Sequence, residues 1–119
     1  MVNEIKIWYN RAKKDLVAAK HSLESGDYEW AGYQVHQSVE KALKAVYIKK
    51  NNKLIKIHDL VLLARKINAP NEIIEICSKI NPSFLDTRYP DSSKDYTIEE
   101  AQDLINFAEE ILKWTEKYL

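Results

Sequence analysis

Residues 28–50, YEWAGYQVHQSVEKALKAVYIKK, decide how this chain folds. Ala31, Val35, Val39, Ala42 and Val46 recur at three- and four-residue intervals, which draws one apolar stripe along an α-helix. Trp30, Tyr33 and Tyr47 broaden or flank that stripe. On its polar flanks lie Gln37, Lys41 and Lys44 to one side and His36, Glu40 and Tyr47 to the other. Glu40 and Lys44 form an i,i+4 pair in the favoured order, worth about 0.2–0.5 kcal/mol at a surface. Two readings of this helix stay open: a wet edge with ordinary charge pairs, or the wall of a polar groove whose lysines meet phosphate.

Working outward, the same periodicity recurs. Upstream, Ile5, Trp8, Ala12, Leu16, Ala19 and Leu23 mark a helix over about residues 3–24. It ends at ESGDYEW, where Gly26 suits a left-handed cap and Asp27 can start the next helix. Downstream, a lysine- and asparagine-rich link leads to a short helix over residues 58–67, with Leu60, Leu63, Ala64 and Ile67 turned inward and a stop at Pro70. A second short helix over residues 71–80 buries Ile73, Ile76, Cys77 and Ile80 and is interrupted by Pro82. The last helix opens with Thr97 as cap and Glu99 and Glu100 in its first turn, then runs Ala101, Leu104, Ala108, Ile111, Leu112, Thr115. The expected fold is all-α: an up-and-down antiparallel bundle of about five helices, three long and two short.

With 119 residues, the chain is expected to form one domain over residues 1–119. Only 2 glycines and 3 prolines argue against an all-β fold, which needs many turns. The 18 basic and 18 acidic residues cancel, so any site for nucleic acid has to be a local patch. Cys77 has no second thiol and sits in an apolar stretch, as expected of a buried structural residue in a reducing compartment. No signal pattern and no apolar run of about 20 residues is present. A cytoplasmic protein without membrane attachment is expected. Six large rings (Trp8, Tyr9, Trp30, Tyr33, Tyr47 and Trp114) exceed what a thin bundle hides, so some are expected at the surface or an interface.

Common site chemistry is missing. There is no Cys-x-x-Cys, no His-x-x-x-His and no Glu-x-x-His ending at His21, His36 or His58, which disfavours metal sites. Gly26 and Gly32 stand alone, so no phosphate loop exists, and there is no Gly-x-Ser-x-Gly elbow. No cofactor is expected. Two stretches remain. In IHDL, His58 can donate to a carbonyl or bind an anion, while Asp59 can cap a helix. In FLDTRYPDSSKDYT, residues 84–97, Arg88 offers a planar fork for phosphate, Tyr89 a ring for stacking, Pro90 a stiff turn and Asp91 a side chain to hold it. From the residues alone this stretch is equally a connector or a site.

Taken in order, QSVEKALK, HDL, RYPD and the closing pattern EA…L…A…IL resemble the HEPN family, whose name stands for higher eukaryotes and prokaryotes nucleotide-binding. The resemblance starts at AKKDLVAA in the first helix and covers nearly the whole chain. It implies a bundle that commonly dimerises, polar motif residues facing a cleft, and pairing with a small nucleotidyltransferase in toxin–antitoxin or stress-type two-component systems. Many members are ribonucleases that carry Arg, four to six residues, then His. Here no histidine follows His58, and neither Arg11, Arg65 nor Arg88 has one at that spacing. The expectation is therefore a non-catalytic module binding a nucleotide or RNA through Arg88, Tyr89, Lys41, Lys44, His58, Glu40 and Asp91, with no catalytic residue assigned. The alternatives are a ribonuclease using His58 or His36, and a bundle that binds only protein.

Overall fold

The computed structural model describes residues 1–88 and 95–119. Six helices are formed among them: α1 (Val2–Glu24), α2 (Tyr28–Asn51), α3 (Leu60–Lys66), α4 (Asn71–Ile80), α5 (Pro82–Arg88) and α6 (Ile98–Glu116). The three long helices of the sequence reading are α1, α2 and α6. The bundle is all-helical, 38 Å long and 23 Å across.

α2 is the central element. Ala31, Val35, Val39, Ala42 and Val46 are fully buried, as the stripe requires, and so are Leu43 and Ala45. α1 lies antiparallel against it: Lys41 bonds Asp15 at 2.6 Å, Ser38 Oγ donates to the Ala12 carbonyl at 2.6 Å, and Lys44 reaches the Trp8 ring. α6 runs antiparallel to α1, with Tyr9 Oη donating to the Leu112 carbonyl and Lys20 pairing with Glu109. It therefore points the same way as α2, an arrangement that the short helices α3 to α5 make possible by carrying the chain back along the bundle.

Local chemistry sets most of the ends. α1 closes in a Schellman motif, with Gly26 at φ 82°, Gly26 N–H donating to the Leu23 carbonyl and Asp27 N–H to that of Ser22. Asp27 occupies the N-cap of α2, but its side chain makes no capping hydrogen bond. α6 opens with a full capping box: Glu100 N–H donates to Thr97 Oγ1 and Thr97 N–H to the Glu100 carboxylate.

Three boundaries differ from the sequence reading. α3 begins at Leu60 rather than His58, because Asp59 takes the N-cap and accepts from the N–H groups of Val61 and Leu62. Its stop is made before Pro70, by Asn68 in the left-handed region (φ 57°), with Ala69 N–H bonded to the Ala64 carbonyl. Pro82 does not end the helical run. It occupies the first position of α5, where its missing N–H costs nothing, so residues 84–88 of the FLDTRYPDSSKDYT stretch are helical.

Gly32 lies buried in α2 where Tyr96 packs onto the helix. A Cβ there would stand 2.7 Å from the Tyr96 ring and 3.5 Å from Leu104. Alanine at this position gains about 1 kcal/mol of helix propensity. It also forces the ring out of place, and overpacking of this kind costs about 1–3 kcal/mol. Gly32→Ala is expected to lower stability by about 1 kcal/mol in urea unfolding, and a stabilised variant would show that the ring does not depend on this gap.

Candidate functional site

α2 and the link before α3 converge on the carboxylate of Glu40, a residue only 5% exposed. Lys44 Nζ, one turn later and equally buried, donates to Oε2 at 2.9 Å and lies over the Trp8 ring at 5.5 Å. His58, on the link before α3, places Nδ1 3.0 Å from Oε2 and 3.1 Å from Oε1. A carboxylate has only lone pairs to offer, so Nδ1 is the donor and Nε2 is the nitrogen left to solvent. The His58 side chain is 62% exposed.

Behind His58 sits His36, fully buried, with Nδ1 3.7 Å from Glu40 Oε1. Neither of its ring nitrogens has a hydrogen-bond partner among the described residues; the Gln37 side chain and the His58 backbone come near without reaching bonding geometry. Burial drives its pKa down to about 4, against an opposing pull from Glu40, and nearby His58 lowers it further. At neutral pH His36 is an uncharged ring carrying one donor and one acceptor.

Phe84 of α5 covers both histidines. Its ring lies 4.9 Å from His36, tilted by 39°, and 5.3 Å from His58, nearly parallel at 15°. Beside these rings opens a cleft of about 460 Å³ lined by His36, His58, Asp59, Val61, Ser78, Asn81, Pro82, Phe84 and Leu85. Asn81, between α4 and α5, holds its mouth in shape: Oδ1 accepts from Leu60 N–H at 2.8 Å and Nδ2 donates to Asp59 Oδ1 at 2.9 Å. That bond, with the Leu62 and Val61 amides, lowers the Asp59 pKa. A larger hollow of about 610 Å³ between α1 and α6 mixes Lys13 and Lys113 with Glu109, Glu110 and Glu116. With two lysines against three glutamates, it has no excess of positive charge to hold a phosphate.

Of the residues singled out in the sequence, the structure brings together Glu40, Lys44 and His58. Lys41 turns to α1 and its charge is taken by Asp15. Arg88 is the last residue of α5, while Tyr89 and Asp91 lie outside the described residues. Asn81 and Phe84 were not singled out at all. Asn81 looks like one more polar residue at a helix end, and Phe84 like a core ring. Cys77 is buried as expected, and burial pushes its thiol up to about 12, so it is inert at neutral pH. Among the described residues, no group of three or more His, Cys, Asp or Glu side chains is placed to hold a metal ion. No helix among them is long and apolar enough to cross a membrane.

The family model of the HEPN domain matches residues 5–118. The chain belongs to the HEPN family. Three solved structures share its fold. TT1696 from Thermus thermophilus superposes with a TM-score of 0.90 at 28% identity, covering 98% of this chain and 99% of that one. ST0689, an archaeal HEPN homologue, gives 0.82 at 27% identity with 95% of each chain covered. The HEPN domain protein tm0613 from Thermotoga maritima gives 0.74 at 26%, covering 92% and 94%. No curated protein matches the chain. This HEPN chain thus keeps the family architecture along its length, with the Glu40 cluster on its central helix.

The His36 environment sets a pH dependence. A histidine whose folded pKa lies below its unfolded value of 6.5 binds its proton more readily in the unfolded chain. Its contribution is present above pH 6.5 and is lost as pH falls through about 4. The span corresponds to about 3 kcal/mol at most. Urea unfolding at pH 7 and pH 5 is expected to show wild type losing stability on acidification, and His36→Leu losing measurably less. Equal losses in the two proteins would contradict the assignment.

Proposed function

We propose that this HEPN domain is a non-catalytic module that binds a nucleotide or a short run of nucleic acid in the cleft beside Glu40. The observation that carries the reading is His36: a buried, neutral ring with a donor and an acceptor both unpartnered among the described residues, at the floor of an aromatic-walled cleft. Unpaired buried polar groups are costly, and a ligand that shifts the Phe84 cover and pairs them recovers that cost. A nucleobase offers such an edge together with a flat face for stacking against Phe84 and His58. In this reading Arg88, the last residue of α5, contacts phosphate, and Tyr89 and Asp91 add further ligand contacts. Lys41 and Lys44 are spent on Asp15 and Glu40 and supply no free charge.

One observation favours a second reading. Glu40 orients His58 with Nε2 exposed, the arrangement of a general base able to take a 2′-hydroxyl proton. A metal-independent ribonuclease also needs an acid for the leaving oxygen, and His36, unprotonated at pH 7, does not supply it. Binding is the better supported function.

Calorimetry with ATP, GTP and a short RNA is expected to show binding of at least one of them, with the RNA left intact in the absence of metal. Phe84→Leu should weaken binding about tenfold, since base–aromatic stacking contributes about 1–3 kcal/mol, and Arg88→Ala should weaken it as well. No binding by wild type would sink the ligand reading. Cleavage of the RNA that disappears in His58→Ala would replace it with the ribonuclease.

The reading includes a homodimer and a small nucleotidyltransferase partner, as membership in the family suggests. Trp30 supports an interface: it is 53% exposed and stacked on Tyr33 at 5.0 Å, aromatic surface of the kind that interfaces bury. Sedimentation at micromolar concentration is expected to give a dimer, and Trp30→Ala to shift it toward monomer. Monomer throughout for wild type would exclude self-association.

A further inference from the structure

The positive charge of this neutral chain is not evenly spread. Residues 47–69 carry Lys49, Lys50, Lys53, Lys56, Arg65 and Lys66 against one acid, Asp59, which is engaged by Asn81 and the first turn of α3. Tertiary structure gathers these residues. Lys50 Nζ donates to the Ile67 carbonyl at 2.6 Å and stands over the Tyr118 ring at 5.4 Å, pinning the C-terminal ends of α2, α3 and α6 together. Lys49, Arg65 and Lys66 therefore share one end of the bundle. From there the link after α2 runs back along that helix, carrying Lys53 and Lys56, until His58 meets Glu40. Ten residues of α2 separate Glu40 from Lys50, about 15 Å at 1.5 Å per residue.

Lys49, Lys53, Lys56, Arg65 and Lys66 are all exposed, and none forms an ion pair among the described residues. Glu72 and Glu110 line a groove with Lys113 and Lys117, and Glu116 shares a hollow with Lys6. Three lysines thus stand among these three glutamates. What remains is a track of uncompensated cations that starts at the bundle end and finishes at the aromatic cleft.

We propose that this track binds the sugar–phosphate backbone of single-stranded nucleic acid and leads the strand to the cleft; its far end rests on the cleft reading above, its near end does not. Cations in a row fit successive phosphates, and rings at the end of the row fit an unstacked base. An anionic membrane would instead favour a broad amphipathic face. Leu54 is the one exposed large apolar side chain on the link.

The test is fluorescence anisotropy with a labelled oligouridine of about 12 nucleotides, titrated from about 50 to 200 mM salt. Each neutralised phosphate contributes about −0.7 to the slope of log K against log salt, so a wild-type slope near −3 is expected. Lys53→Ala/Lys56→Ala/Arg65→Ala should bind at least about tenfold more weakly at low salt, with the slope reduced by about 2. Its thermal unfolding and its affinity for ATP should match wild type. Wild type that does not bind RNA at low salt, or a triple variant with unchanged affinity and slope, would overturn the proposal. Binding to phosphatidylserine vesicles without binding to RNA would overturn it in favour of a lipid surface. Track-dependent RNA binding with no affinity for ATP would support the track while removing the mononucleotide cleft.

Discussion

Glu40 is an ionisable residue in the wall of the core, and the site follows from how its charge is met. A carboxylate this deeply buried is tolerated only when it is paired and hydrogen-bonded. Lys44 pairs it from the same helix and His58 from the link before α3. The first contact is guaranteed by helical spacing. The second is not: it ties an otherwise irregular link to the central helix eighteen residues away in sequence. With His58 held there, α3 starts where it does, and Asn81 can bond both the cap Asp59 and the first amide of α3.

The same arrangement isolates His36. It shares a helix with Glu40, whose Oε1 stands 3.7 Å from Nδ1, but neither ring nitrogen has a hydrogen-bond partner among the described residues, and Phe84 closes over the ring. Burial keeps it neutral, which removes the repulsion a second cation would bring to Lys44. The result is a polar floor beneath an aromatic wall. Such a site suits recognition of a flat, hydrogen-bonding ligand better than proton transfer, because its buried ring is uncharged at neutral pH and is no general acid there.

Much of the fold could be read from periodicity. The stripes on α1, α2, α4 and α6 predicted buried faces that the structure contains, and Thr97 with Glu100 announced the start of α6 correctly. The short elements were less legible. A proline read as an interruption at Pro82 is equally at home at the first position of a helix, and the following residues carry no strong period. For the site, Glu40, Lys44 and His58 were visible as polar residues near a core stripe, while Lys41, at similar spacing, turned out to serve α1. Spacing names the face of a helix but not which neighbour covers it.

The sequence by itself determined the helical class, the central helix, the caps at Gly26 and Thr97 and the family, because these depend on contacts within a few residues and on the order of short motifs. Tertiary structure alone decided that Glu40 faces His58, that His36 is left without partners among the described residues, that Asn81 and Phe84 build the cleft, and that Lys50 ties the end of α2 to Ile67 and Tyr118. Each of those requires residues distant in the chain to meet, and their meeting is set by how α3, α4 and α5 pack on α2. No local pattern encodes that packing.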